Sequence, residues 1–218
     1  WADTGTAGIA EDLRFYAKKV AELARKHVTV ALSGDGGDET FLGYPRYSAS
    51  KLAGNLDKLP KFILYTLHTL GGYIPFHKFN NKTASYAERF VSEIISVPHR
   101  RYGNWICFFS DEDKKELYTK AFLNDDRDRN FELIAPFFLK DNDPETNAVW
   151  TDIHNYLPDD LLVKNDVSSM AYGLEARSPF LDHQFFDFAL KIPNSQKMPG
   201  LKTKTLLKKT MISRLPDE

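Results

Sequence analysis

Val28-Thr-Val-Ala-Leu-Ser-Gly-Asp-Gly-Gly-Asp-Glu39 is the stretch on which the reading of this chain turns. Its first five residues are apolar or β-branched, the composition of a short buried strand of parallel type, and Ser33-Gly34 stops it. Upstream, Leu13, Tyr16, Ala17, Val20, Leu23 and Ala24 recur at three- and four-residue steps, which predicts a helix over 11–27 ending in Lys26 and His27. Helix, strand and glycine-rich turn in that order make half of an α/β crossover.

Open α/β sheets bind ligands outside the carboxyl ends of their strands, where Ser33 to Asp38 fall. Gly34, Gly36 and Gly37 let the backbone take positive φ and turn amides toward a phosphate or an adenine. A purely structural turn with the same glycines is the competing reading. Asp35, Asp38 and Glu39 tip the balance, because three carboxylates within five residues repel one another unless a cation or basic group lies among them. Magnesium arriving with a nucleotide is the expected cation, since it takes one or two carboxylates alongside phosphate oxygens. The aspartate spacing of an EF-hand calcium loop is absent here and at Asp141-Asn-Asp-Pro144.

The 218 residues, 42% hydrophobic, are enough to bury a core as one large domain. Lys plus Arg number 29 against 30 Asp plus Glu, so no net field attracts nucleic acid or an anionic membrane. A single cysteine, Cys107, lies among Trp105, Ile106, Phe108 and Phe109, which reads as a packed thiol in a reducing, cytoplasmic setting. No window approaches the roughly 18 apolar residues of a membrane span, and no signal peptide is recognisable. The chain begins at Trp1 and stops just after Leu215-Pro216, and is expected to be a piece of a longer protein.

Beyond residue 44 no second strand is expected, only helices separated by turn signals at Leu59-Pro60, Gly71-Gly72, Val97-Pro98, Asn142-Asp-Pro144, Leu157-Pro158, Ser178-Pro179 and Ile192-Pro193. One helix should carry Phe62, Ile63, Tyr65, Leu67 and Leu70. Another should run over 83–96 with Ala84, Ala87, Phe90, Val91 and Ile94 inward. Asp111-Glu-Asp-Lys-Lys-Glu116 reads as a solvated helix start. Asp159 and Asp182 are placed to cap helices, and Glu175 and Arg177 to pair with partners elsewhere. Gly200-Leu-Lys-Thr-Lys-Thr-Leu-Leu-Lys-Lys-Thr210 begins a lysine-rich helix, one lysine of which can meet a phosphate or acyl-phosphate oxygen as a point charge.

Val-Ala-Leu-Ser-Gly-Asp-Gly-Gly-Asp-Glu at 30–39, Gly43-Tyr-Pro-Arg-Tyr47, Leu-Glu-Ala-Arg-Ser-Pro-Phe-Leu-Asp at 174–182 and Lys204-Thr-Leu-Leu-Lys208 together resemble the asparagine synthetase family over residues 21–215. The resemblance implies a mainly α fragment with one short parallel-type strand, the C-terminal part of a pyrophosphatase-type nucleotide-binding synthetase domain. It implies ATP and magnesium, with aspartate, ATP and ammonia as small-molecule substrates and β-aspartyl-AMP as the intermediate. Ser33, Gly34, Gly36, Gly37 and Glu39 match nucleotide-pocket positions, Asp35 an acid tied to formation of the intermediate, and Asp38 a magnesium ligand. Lys204 matches the lysine placed on charge developing at the activated acyl group, with Lys202 and Lys208 out of register. The family's Ser-Gly-Gly-x-Asp-Ser pyrophosphate loop and its glutaminase domain are missing, so the piece alone is expected to be inactive, and a homodimer is left open. Thr40 and Leu42 depart from the usual Leu or Val and Gly. A synthetase acting on another carboxylate, or forming a β-lactam, and a non-catalytic helical interaction module are the alternatives.

Overall fold

A computed structural model of the chain describes residues 6–76, 82–107, 109, 111–120, 129–212 and 214–215. In chain order the elements are α1 (Thr6–Arg25), β1 (Val30–Leu32), α2 (Gly37–Phe41), α3 (Pro45–Leu56), α4 (Lys61–Gly72), α5 (Lys82–Ser92), α6 (Pro98–Ile106) and α7 (Asp111–Leu117). There follow α8 (Arg129–Ile134), α9 (Pro144–Thr151), a π-helical stretch (Asp152–Leu162), α10 (Val163–Met170), β2 (Glu175–Arg177), α11 (His183–Lys191), α12 (Asn194–Lys197) and α13 (Thr205–Met211). The chain divides into two units, Trp1–Tyr44 with Val149–Glu218, and Pro45–Ala148.

The expected mainly helical character holds among the described residues, with one correction. Glu175–Arg177 is a second strand, paired parallel to β1 with Val30 opposite Glu175, Ala31 opposite Ala176 and Leu32 opposite Arg177. Glu-Ala-Arg has no apolar or β-branched pattern of its own, so only the distant partner makes it a strand. Most prolines act as helix openers rather than breaks. Pro98 and Pro144 are first residues of α6 and α9, while Pro60 and Pro193 immediately precede α4 and α12, positions where a missing N–H costs nothing. Pro158 departs from the expected turn, because it lies inside the π-helical stretch. The wider i→i+5 register there accommodates a residue that disrupts an i→i−4 ladder. Asp159 lies within the same stretch and therefore does not cap a helix. Asp182 does cap α11, accepting from the amides of Gln184 and Phe185.

In the first unit, α1 packs on α10 and buries Ala21, whereas Tyr16, Val20 and Leu23 of its apolar stripe are exposed. Phe41, Phe180 and Phe185 form an aromatic cluster with Leu157, Leu174, Ala189 and Met198 buried in the same unit. One buried group is poorly matched. Lys197 is 3% exposed, and its ammonium has only the Leu190 carbonyl, at 3.5 Å, as a partner among the described residues. Burial pushes its pKa down from the ordinary 10.5 to about 8.

The second unit is helical among its described residues. Ala84 is buried and Ala87, Phe90 and Val91 half-buried, as their spacing predicts, but the helix expected over 83–96 ends at Ser92, so the buried Ile94 lies in the turn that follows it. Gly103 of α6 lets the Phe131 ring and Ile134 of α8 approach where a side chain would collide with them. Arg101, 4% exposed, organises the unit. Its guanidinium donates to both carboxylate oxygens of Asp57 at 3.0 and 2.7 Å and to the carbonyls of Glu93, Ile94 and Ser96. That fork matches carboxylate geometry in a way an ammonium does not. Cys107 is half-buried at the end of α6.

Arg101→Lys is expected to lower the stability of this unit by about 2–4 kcal/mol, read as a lower urea midpoint with an unchanged slope. Lys197→Met should act in the opposite direction. Below about pH 8 the lysine is charged in folded and unfolded chains alike and its burial is a full penalty. Between about 8 and 10.5 only the unfolded chain holds the proton, so stability of the wild type rises with pH. The substitution should therefore raise the melting temperature at pH 7 and lose that advantage as pH approaches 10. An advantage independent of pH would mean that the buried charge is not its source.

Candidate functional site

Beyond Leu32 one more ladder bond, from the Ser33 amide to the Arg177 carbonyl at 2.8 Å, carries the sheet into the glycine-rich segment. The Gly37 amide then reaches back to the Gly34 carbonyl at 3.2 Å, and α2 begins at Gly37. Gly36 is required twice over: its φ of 84° is left-handed, and a Cβ there would strike the Leu181 side chain. Thr40 donates its hydroxyl to the Gly36 carbonyl at 2.6 Å. Leu42 also takes a left-handed φ, 54°, a conformation that costs a residue with a Cβ roughly 1–2 kcal/mol. Its fully buried side chain offsets that cost.

Among the described residues no acceptor engages the amides of Gly34, Asp35 or Gly36. A Cβ on Gly34 would meet nothing within 4 Å, so this exposed residue borders open space at the carboxyl end of β1, whereas Gly36 is buried against Leu181. The Asp35 carboxylate is held on one oxygen, Oδ2, by the Ser33 hydroxyl at 2.9 Å and the Asn165 side-chain amide at 2.6 Å. Ser33 Oγ is in turn 2.6 Å from Ser178 Oγ.

Asp38 and Lys204, far apart in sequence, meet as an ion pair of 2.9 Å with each side chain about one-third exposed (31% and 30%). Lys204 reaches it from a left-handed φ of 53° just before α13. Gly43 leaves the room: a Cβ at that position would overlap the Asp38 carboxylate and the Lys204 side chain. Lys202 and Lys208 are exposed. Glu39 does not face the open side. It is 1% exposed and accepts from the Tyr44 hydroxyl at 3.1 Å. Burial first, and then the charges of Asp152 and Asp38, push its pKa up against the pull of its own amide and Tyr44.

Asn165 and Ser178 escaped the sequence reading, since neither belongs to a local pattern that announces a contact with Asp35. Glu175 and Arg177, expected to find partners elsewhere, bond each other at 2.8 Å on the exposed side of β2. No group of three or more His, Cys, Asp or Glu able to hold a metal ion is present among the described residues. No helix among them is long and apolar enough to cross a membrane.

A family model described as asparagine synthase matches residues 2–218. The chain belongs to the asparagine synthase family. It is 31% identical over 201 residues to asparagine synthetase [glutamine-hydrolyzing] 1 of Bacillus subtilis, covering 91% of this chain and 30% of that protein. A putative asparagine synthetase [glutamine-hydrolyzing] 2 of Methanocaldococcus jannaschii is 34% identical over 162 residues, 72% of this chain and 28% of its own length. Similarity extends to a Gibberella zeae protein named amidase chry2, 24% identical over 186 residues, 78% of this chain and 26% of that protein. The chain thus spans about 30% of the length of the first of these relatives. No solved structure matches it.

Gly43→Ala is expected to force Asp38 and Lys204 apart, because the added methyl overlaps both. Acetylation of Lys204, followed by mass spectrometry, should become faster than in the wild type. Unchanged labelling would show that the pair does not depend on the space Gly43 leaves.

Proposed function

We propose that the chain carries one wall of the aspartate-activating site of a glutamine-hydrolysing asparagine synthetase, as the C-terminal part, residues 1–218, of a pyrophosphatase-type nucleotide-binding domain. In this reading a β-carboxylate oxygen of aspartate attacks the α-phosphorus of ATP. The bond to the departing pyrophosphate breaks as β-aspartyl-AMP forms. Ammonia from glutamine then attacks the acyl carbon and AMP leaves, giving asparagine. The observation that carries the reading is the Asp38–Lys204 pair, formed on the helix α2 that follows the glycine-rich turn. It joins Lys204, the one expected member far along the chain, to a member of the 33–39 segment.

Ser33, Gly34, Gly36 and Gly37 border the nucleotide, with the unengaged amide of the exposed Gly34 the one best suited to an anion. Asp35 acts at the reacting centre through the oxygen its neighbours leave unbound. Lys204 supplies a point charge where negative charge develops, the kind of preorganised contact that contributes most to such reactions. Glu39 supports the same wall from behind through Tyr44.

Magnesium fits as a companion of the substrate rather than as a resident of a protein-built cage. Asp38 offers one part-exposed carboxylate, and a magnesium ion bound with nucleotide takes one or two carboxylates, the remainder being phosphate oxygens and water. Asp38 would hold it, and its charge would neutralise the phosphates. The reading brings with it a cytoplasmic enzyme that acts on small molecules and not nucleic acid or membranes. It also treats the 218 residues alone as inactive and keeps a homodimer as an expectation. A relative that amidates another carboxylate is the second reading, favoured by the similarity to the protein named amidase chry2.

In the intact protein that carries this chain, Asp35→Asn and Lys204→Ala should each cut aspartate-dependent pyrophosphate release by roughly 100-fold or more. Wild-type release with another carboxylic acid but not aspartate would select the second reading. Variants as active as the wild type would remove these residues from the site, and absence of any ATP turnover would favour a non-catalytic module.

A further inference from the structure

Asp35 occupies a segment with glycine at 34, 36 and 37, so its backbone alone gives its carboxylate little orientation. What orients it is the neighbouring Ser33 hydroxyl together with groups from two distant stretches of chain. The proton inventory fixes their direction. An ionised carboxylate only accepts, and a serine hydroxyl has one proton. Ser33 gives its proton to Asp35 Oδ2 at 2.9 Å. The 2.6 Å contact between Ser33 Oγ and Ser178 Oγ must then run from Ser178 to Ser33. Asn165 donates from its side-chain nitrogen to the same Oδ2 at 2.6 Å, and the reverse orientation would set two acceptors face to face. Both direct bonds thus converge on one oxygen, while no donor among the described residues engages Oδ1.

We infer that Asn165 and Ser178 are positioning residues for Asp35. Asn165 acts directly from α10, Ser178 acts by relay through Ser33 from the residue after β2, and together they hold Oδ2 so that Oδ1 is presented to the reacting centre. This rests on the proposed role of Asp35. Two charge-assisted bonds on one oxygen restrict rotation of the carboxylate about its Cβ–Cγ bond far more than one does. Misplacement of a reacting group by about 1 Å costs on the order of 100-fold in rate, so the clamp belongs to the chemistry even though neither residue touches substrate.

The test is a comparison of Asn165→Asp, Ser178→Ala and Ser178→Thr in the intact protein, with pyrophosphate release measured as ATP is varied at saturating aspartate. Asn165→Asp keeps the shape and replaces the donor by a like charge, so kcat should fall by about 100-fold while the KM for ATP stays within about twofold. Ser178→Ala should lower kcat by about 10-fold, and Ser178→Thr, which keeps the hydroxyl, should restore most of it. Wild-type kcat in both Asn165→Asp and Ser178→Ala would overturn the inference. So would a loss confined to KM, or one explained by a lowered melting temperature. If the wild type itself releases no pyrophosphate with aspartate, the proposed function has failed instead. The crystal structure of Asn165→Asp then decides the positioning role: an Asp35 side chain turned to a new rotamer supports it, and one left in place overturns it.

Discussion

Val30 lies opposite Glu175, Ala31 opposite Ala176 and Leu32 opposite Arg177, and this three-pair parallel register determines what surrounds the glycine-rich turn. Continued by one residue it sets Ser33 against Ser178, whose hydroxyls meet across 145 residues of sequence. The contact that begins the clamp on Asp35 is therefore the sheet ladder extended one step past its last strand pair. A slip of one residue would place Arg177 or Pro179 there instead and reverse every facing of β2. Such a short ladder contributes little by itself. It is held by α1 packed on α10 and by the aromatic cluster of Phe41, Phe180 and Phe185, so the turn's geometry draws on helices at both ends of the first unit.

The nearly neutral composition conceals three kinds of charge. Arg101 is buried with its donors matched by a carboxylate and three carbonyls, which is the condition under which a buried ion stabilises its surroundings. Asp38 and Lys204 are part-exposed, so their pairing contributes only modestly to stability and can give way to a ligand at low cost. Glu39 and Lys197 are buried with proton affinities moved toward their neutral forms. The matched buried ion belongs to the second unit and the part-exposed pair to the first.

The sequence made local order legible and distant pairing illegible. The periodicity from Ala84 to Val91 and the proline-opened helices rest on neighbours within a few residues, and they appear where expected, although the first of these helices stops at Ser92 short of Ile94. Glu175–Arg177 is a strand only because β1 lies beside it, so its composition carried no signal. Pro158 signalled a break because its missing amide disrupts an α-helix, and a π-helical register removes that conflict. Asp35, Asp38 and Lys204 could be singled out by motif, but not the fact that Asp38 and Lys204 bond each other. Asn165 was invisible for a simpler reason: a lone asparagine on a helix face looks the same whether it meets water or a carboxylate.

Glycine confers closeness on a turn and withholds direction. At Gly36 a left-handed φ and the pressing Leu181 side chain leave no alternative, and at Gly43 the missing Cβ makes room for the Asp38–Lys204 pair. Neither property tells a carboxylate where to point. Direction comes from the Ser33 hydroxyl and, from outside the turn, from three further side chains: Asn165 on Asp35, Ser178 on Ser33 and Lys204 on Asp38. All three lie beyond residue 160 in sequence and are brought back within the first unit. The motif at 33–39 is thus complete as a backbone shape but not as a site, because side chains that orient its acids are supplied by the distant part of the chain that the parallel pairing returns to it.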